Sequence, residues 1–415
     1  MKVNKKTMSA AALLASLILG GCASQPTNQQ SQRHADAWIT TWGTSLTAPI
    51  PHSASFNNQT LRLIAHTTLG GDQVRIRIAN TFGTRPLVIG AASIALQESG
   101  AALVASSSRT LTFSSRASII VPPGALVVSD PVKLAVPAQR NLAVSIFIPS
   151  DTGPASAHPR TQQISFVSST GNFSTHIDAT PFVTSIETWP FLTGIEVQTE
   201  KAARSVVAFG DSITDGFKST VDANRRWPDY FASRLLAAGR NVAVVNAGIS
   251  GNRMWNDAAA ARPVFGPNGL ARFDRDVLSV NGVSHVVVLL GINDIGMGSA
   301  ARNPDEVVSA DDLIAGLKQL ATRAHARNLK VIGATLTPFG QAGYYTAQGE
   351  EKRLAVNAWI RAAKELDGFV DFDAAVRDPN KPSQLQAAFD SSDHLHPSDA
   401  GYKAMADSID LALFD

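Results

Sequence analysis

Residues 205–216 read SVVAFGDSITDG, a compact apolar run (SVVAF, 205–209) that meets a Gly, an acid and a Ser in GDSITDG (210–216). An apolar run of this length without alternation is what a strand buried on both faces requires, as in a parallel sheet. The GDSITDG stretch is either an ordinary turn in which Ser212 caps the next helix, or a turn that holds Ser212 out as a nucleophile. Taken alone, the string supports both readings equally. The decision rests on whether the rest of the chain supplies a base, an orienting acid and an oxyanion site.

Four further runs of the same kind occur downstream: NVAVVN (241–246), HVVVLLG (285–291), LKVIGATL (329–336) and GFVDF (368–372). Helical stretches separate them at 225–238, about 269–280, 309–327 and 349–366, and a last helix starts near Ser398, where Pro397-Ser398-Asp399 offers a cap. Strictly alternating strands and helices predict right-handed crossovers and a parallel sheet with helices on both faces. Ligands of such sheets sit beyond the C-terminal strand ends. That places Ser212, the 247–253 loop and the 292–298 loop on one rim.

A serine hydroxyl needs a base to remove its proton. The stretch DSSDHLHPSDAGY (390–402) puts Asp393 three residues ahead of His396, a spacing that lets an acid and an imidazole face the same rim. Oxyanion donors are available in NAGISGNR (246–253), where Gly251 leaves its N–H approachable, and in GIND (291–294), where Asn293 carries an amide. These stretches resemble the four blocks of the SGNH hydrolases, the GDSL family of esterases and lipases. GDSIT is similar to the nucleophile block, GISGN to the glycine block, GIND to the asparagine block and DHLH to the acid–histidine block. Ile213 stands where the family name has Leu. The resemblance spans about 204–415 and implies a flavodoxin-like three-layer parallel sheet of the SGNH type. It also implies Ser212 as nucleophile and His396 as base oriented by Asp393. The oxyanion hole it implies comprises the Ser212 and Gly251 N–H groups and the Asn293 amide.

Bland readings accompany each residue. His394 is expected to be a decoy that points away from the Ser or bonds locally, and Asp211, Asn252 and Asp294 are expected to brace loops rather than take part in chemistry. His66, His158, His176, His285 and His325 form no metal-ligand spacing, so neither a metal nor any other cofactor is expected. There is no G-x-S-x-G, no Walker A and no G-x-G-x-x-G after the first strand, and no basic patch suggests nucleic acid.

From Trp38 to about residue 200 the pattern changes to short runs broken by turn signals: 61–69, 72–80, 85–96, 109–113, 125–130 and 142–149. VRIRI (74–78) alternates, predicting one buried and one wet face. A β-sandwich or jelly-roll-like domain is expected over 38–200, ahead of the hydrolase domain over 201–415. WITTWGTS (38–45) resembles the extra domain that precedes the catalytic domain in some secreted bacterial SGNH enzymes.

The chain opens MKVNKKTMSAAALLASLILGGCAS, a basic segment, an apolar run and small residues, as in a secretory signal over 1–21. Its only cysteine, Cys22, lies in Leu19-Gly20-Gly21-Cys22, which resembles a lipoprotein lipobox, so lipidation and a membrane anchor are expected, with a polar tether to residue 37. Ala23 after the Cys favours an outer-membrane or cell-surface location in that family. The formal charge of +2 falls to −1 without Lys2, Lys5 and Lys6. The expected reaction is ester hydrolysis through an acyl-serine, with short acyl esters of carbohydrates, such as acetylated polysaccharide, as the leading substrate. Arylesterase or lysophospholipase activity is the alternative, and an inactive envelope binding lipoprotein is the reading from outside enzymology.

Overall fold

The computed structural model describes residues 37–50, 53–199, 201–299 and 304–415. The leader, the lipobox with Cys22 and nearly all of the polar tether lie outside the described residues.

Alternation in VRIRI has half of its predicted consequence: Val74, Ile76 and Ile78 point into a core, but the face of Arg75 and Arg77 is not wet, because both pair with the fully buried Glu196 and Arg77 donates to Ser279 O of the parallel-sheet half. The Gly71–Ala79 strand belongs to an antiparallel sheet ordered Trp38–Gly43, Leu192–Gln198, Gly71–Ala79, Val132–Val136. A second antiparallel sheet runs Phe182–Ile186, Ser165–Thr170, Gln59–Thr67, Arg140–Ile148, Ala91–Ser99, Ala102–Leu103. Ile76 and Val197 of the first sheet share one core with Leu63, Val144 and Ile94 of the second, so the two sheets form a sandwich. Several of its strands, 165–170, 182–186 and 192–198 among them, are too polar to have been read from periodicity.

Among the described residues from 204 onward the strands pair in parallel, with only isolated antiparallel bridges at Arg377–Leu385 and Asp390–Pro397. The sheet is ordered Val242–Gly248, Arg204–Gly210, Val283–Leu289, Lys330–Ala334, Gly368–Val370. Helix Trp227–Ala237 packs on Asp399–Asp407, and Ala310–His325 packs on Ala347–Ala362. Ser398 caps the last helix by accepting from the Gly401 N–H at 3.3 Å. Two local expectations fail. The 269–280 helix divides into an α-turn, Gly269–Phe273, and a wider π-turn, Asp274–Leu278. The 292–298 segment is not a loop but the helix Ile292–Ser299, whose Gly296 and Gly298 weaken its helical signal in sequence.

The sandwich covers the exposed edge of the parallel sheet. Val244, on the edge strand, donates its N–H to Thr68 Oγ1 at 3.0 Å. Thr40 N–H donates to Asn281 O, Asn281 N–H donates to Thr40 Oγ1, and Ser205 Oγ donates to Thr40 O, all within 3.1 Å. Ile39, Leu69 and Ala243 close a small apolar seam between the halves. Covering the edge removes a row of unpaired backbone groups from solvent.

Candidate active site

The Arg204–Gly210 strand ends in a sharp turn because nothing larger than Gly fits at its end. A Cβ on Gly210 would stand 2.4 Å from Leu289 O. Asp211 then caps the four-residue helix Ser212–Asp215, its carboxylate accepting from the Ile213 N–H at 3.0 Å. Capping thus falls to Asp211, and Ser212 is left at the first helical position with its hydroxyl directed at His396. The Ser212 Oγ to His396 Nε2 distance is 2.8 Å, and His396 Nδ1 lies 2.7 Å from Asp393 Oδ2.

Asp393 also accepts the backbone N–H groups of Leu395 at 3.1 Å and His396 at 2.9 Å through its other oxygen. Partial burial works against its charge, but the His396 ring and these N–H groups prevail and hold the carboxyl well below the usual carboxylate range. An ionised carboxylate can only accept, so Nδ1 carries the proton and Nε2 presents its lone pair to the Ser212 O–H. Phe217 covers the imidazole edge-on, with ring centroids 4.8 Å apart.

Gly251 lies at φ +81°, and a Cβ there would strike the Phe265 ring at 2.4 Å, so the position admits only glycine. Neither the Ser212 nor the Gly251 backbone N–H has an acceptor among the described residues. Asn293 Nδ2 donates one hydrogen to Asn252 O at 3.0 Å, which leaves its second hydrogen available, and Asn293 Oδ1 accepts from Tyr344 OH at 3.3 Å. The bond to Asn252 ties the asparagine helix to the glycine loop.

Behind the triad stand residues that no sequence signal exposed. Arg272, a lone arginine in a short helix, is fully buried. It donates to Gly210 O and Ala247 O, both at 2.8 Å, to Asn252 Oδ1 at 2.9 Å and to Asp276 at 3.1 Å. It therefore joins the end of the nucleophile strand to the glycine loop. Asn252 in turn donates to Phe265 O and Pro267 O. Asp294 accepts the Met254 and Trp255 N–H groups at 2.7 and 3.0 Å, and burial pushes its carboxyl up to about 6. Burial likewise pushes Asp211 up to about 7, with Asp294 and Asp215 adding repulsion. As anticipated, Asp211, Asn252 and Asp294 brace loops.

His394 turns away to Asp390, 2.6 Å from its Nδ1, with its side chain half exposed. Of the aromatic residues that follow the Lys330–Ala334 strand and the glycine loop, Phe339 is core, Tyr344 reaches Asn293, Tyr345 stays exposed against Phe339, and Trp255 donates its indole N–H to Asp312 O. No cluster of metal-binding side chains exists among the described residues. A cleft of about 190 Å³ opens beside Gly251, walled by Phe265, Met297 and the Arg253–Glu306 ion pair (2.7 Å).

Residues 208–404 match the model of the GDSL-like lipase/acylhydrolase family. This segment is a GDSL-like hydrolase domain. With this domain and its Ser–His–Asp geometry, the chain is a carboxylic ester hydrolase. No curated protein matches the chain. Among solved structures, a GDSL-like lipase of Bacteroides thetaiotaomicron is 23% identical over 51% of this chain and 88% of its own, with TM-score 0.35. An aryl esterase of M. smegmatis is 18% identical over 49% and 95%, with TM-score 0.39. A carbohydrate acetylesterase family member of Sinorhizobium meliloti is 19% identical over 49% and 94%, with TM-score 0.38. The GDSL-like domain occupies the parallel-sheet half, and the sandwich lies before the matched residues.

Proposed function

We propose that the chain is a serine esterase that removes short acyl groups, acetyl foremost, from carbohydrates through an acyl-serine intermediate. The observation that carries the mechanism is the unbroken chain Ser212–His396–Asp393, with links of 2.8 and 2.7 Å. Ser212 Oγ attacks the ester carbon as His396 Nε2 takes its proton. The oxyanion is met by the N–H groups of Ser212 and Gly251 and by the Asn293 amide. His396 then returns the proton to the leaving alcohol, and water repeats the cycle on the acyl-enzyme. Asp393 keeps its charge throughout and stabilises the imidazolium.

The preference for short acyl groups rests on the sequence of the catalytic half, which carries no long apolar segment of the kind that would lid a triglyceride site. The decisive comparison is acid release by the protein and its Ser212→Ala variant from acetylated polysaccharides and from aryl esters of increasing chain length. Acetate release from glycans, abolished in Ser212→Ala, supports the reading. Turnover confined to long aryl or phospholipid esters moves the substrate to lipids, and no Ser212-dependent release on any ester leaves a binding role. We also propose a lipid anchor at Cys22 at the outer membrane or cell surface, resting on the lipobox alone. A Cys22→Ala variant that stays in the membrane fraction would remove that proposal.

A further inference from the structure

The sandwich reaches the GDSL-like domain at a place where a titratable side chain is buried. His158, on the strand Ala157–Pro159, is 2% exposed and lies against the Trp189 ring. Its Nδ1 is 2.8 Å from Ser45 O and its Nε2 is 2.8 Å from Asp215 Oδ1. A carbonyl and a carboxylate both only accept, and a neutral imidazole has one N–H, so satisfying both contacts requires the imidazolium.

Asp215 is the last residue of the helix that begins at Ser212. Its other oxygen accepts the Ser250 N–H at 3.1 Å and the Ser250 hydroxyl at 2.6 Å, directly before Gly251 in the chain. One carboxylate thus receives the sandwich on one side and the glycine loop on the other.

We propose that His158 is a positioning residue for the reaction, acting through Asp215 to set the nucleophile turn against the Ser250–Gly251 loop, so that the N-terminal sandwich completes the active site. This rests on the esterase reading above. Two further charged groups bear on the pair from the neighbouring helix: Arg226, and Asp229, which Arg226 holds at 2.9 Å. His66 and Asn246 line the same small recess. Burial and Arg226 favour a neutral His158, but the Asp215 charge and the two hydrogen bonds outweigh them and its pKa is raised. Without the cation, the Asp215 charge stays buried near Asp211, whose own carboxyl it already repels. The turn and the loop then lose their common partner, and displacements of about 1 Å at a reacting group cost up to roughly 100-fold in rate.

The test uses the full chain with an aryl acetate, kcat and KM being measured per titrated serine alongside urea midpoints. His158→Gln and Asp215→Asn are each expected to lower kcat by roughly 10- to 100-fold with KM little changed. The double variant should be no worse than the poorer single, because both act through one carboxylate. A merely structural histidine would lower the midpoint and leave kcat per titrated site intact. Retention of kcat within about threefold in His158→Gln, or multiplicative losses in the double variant, overturns the proposal. Should His158→Gln not fold, Ser250→Ala decides, since it removes only the hydroxyl contact: a lowered kcat at constant KM upholds the linkage, and full kcat overturns it. Turnover equal in wild type and Ser212→Ala would remove the esterase reading and this inference together, a result distinct from an active His158→Gln beside a dead Ser212→Ala.

Discussion

Replacing Asn293 by Ala separates an oxyanion donor from a loop brace. The side chain makes two bonds in the resting protein: Nδ2 to Asn252 O at 3.0 Å, and Oδ1 from Tyr344 OH at 3.3 Å. Both partners are sheltered, so removing the amide leaves a carbonyl and a phenol short of a partner. The expected loss of stability is about 1–3 kcal/mol. The free Nδ2 hydrogen has no resting partner to lose, and its contribution appears only when the oxyanion forms. One such donor is worth about 3 kcal/mol, a fall in kcat of roughly 100-fold with KM nearly constant. Tyr344→Phe serves as the control, because it removes the 3.3 Å bond and leaves the amide, and its kcat should stay within about threefold. Steady-state kinetics on an aryl acetate with parallel thermal melts read both quantities. An Asn293→Ala protein that is destabilised yet keeps its kcat would show a brace and no oxyanion donor.

The buried polar residues and the tight turn give three further expected outcomes. Arg272→Met keeps the volume but strips Ala247 O and Asn252 Oδ1 of their donor, while Asp276 retains Arg275. Two buried acceptors left unpaired, at about 1–3 kcal/mol each, give an expected loss of about 2–6 kcal/mol in a urea titration, and an unchanged midpoint would contradict it. Asp211 has a folded pKa of about 7 against about 3.9 when unfolded, so the folded state holds its proton longer and stability falls as pH rises from about 4 to 7. Asp211→Asn, which keeps the acceptor for Ile213, should gain on the order of 2–4 kcal/mol at pH 8 and little at pH 4. A pH-independent difference would show that burial is not the cause. Gly248→Ala would drive a Cβ to 2.3 Å from the Asp215 N. A loss of about 1–3 kcal/mol with more than roughly tenfold lower kcat is expected, and normal kinetics would show that the turn can yield.

The central parallel strands were legible because they are buried on both faces and read as compact Val/Ile/Leu/Ala runs, whereas the edge strand Gly368–Val370 leaves Phe369 exposed. SVVAFG and HVVVLLG needed no knowledge of their neighbours. The sandwich was legible only where apolar and polar residues alternate, as in VRIRI. Strands such as SFVSST (165–170) owe their pairing to tertiary contacts that no local pattern records. The helix at 292–299 was hidden by its two glycines. At the site, the residues that face the substrate carried local motifs, so Ser212, Gly251, Asn293, Asp393 and His396 could be named, and the structure joins Ser212, His396 and Asp393 in one hydrogen-bonded chain. His158 and Arg272 could not, because His158 bonds Asp215 and Arg272 bonds Gly210 across more than 50 residues, and a lone buried base looks like any surface one in a sequence. In sequence, His158 differs in no way from His66, His176, His285 and His325.

The central claim is that Ser212 forms the acyl-enzyme under the control of His396. Its most direct test is acid-quenched intact-mass and peptide analysis of the protein during turnover of an acetyl ester. One acetyl group is expected on the peptide carrying Ser212 in the wild type, with greater accumulation when hydrolysis of the intermediate is slowed, and none in Ser212→Ala. Steady ester hydrolysis with no adduct on that peptide, or with the adduct unchanged in Ser212→Ala, would contradict it.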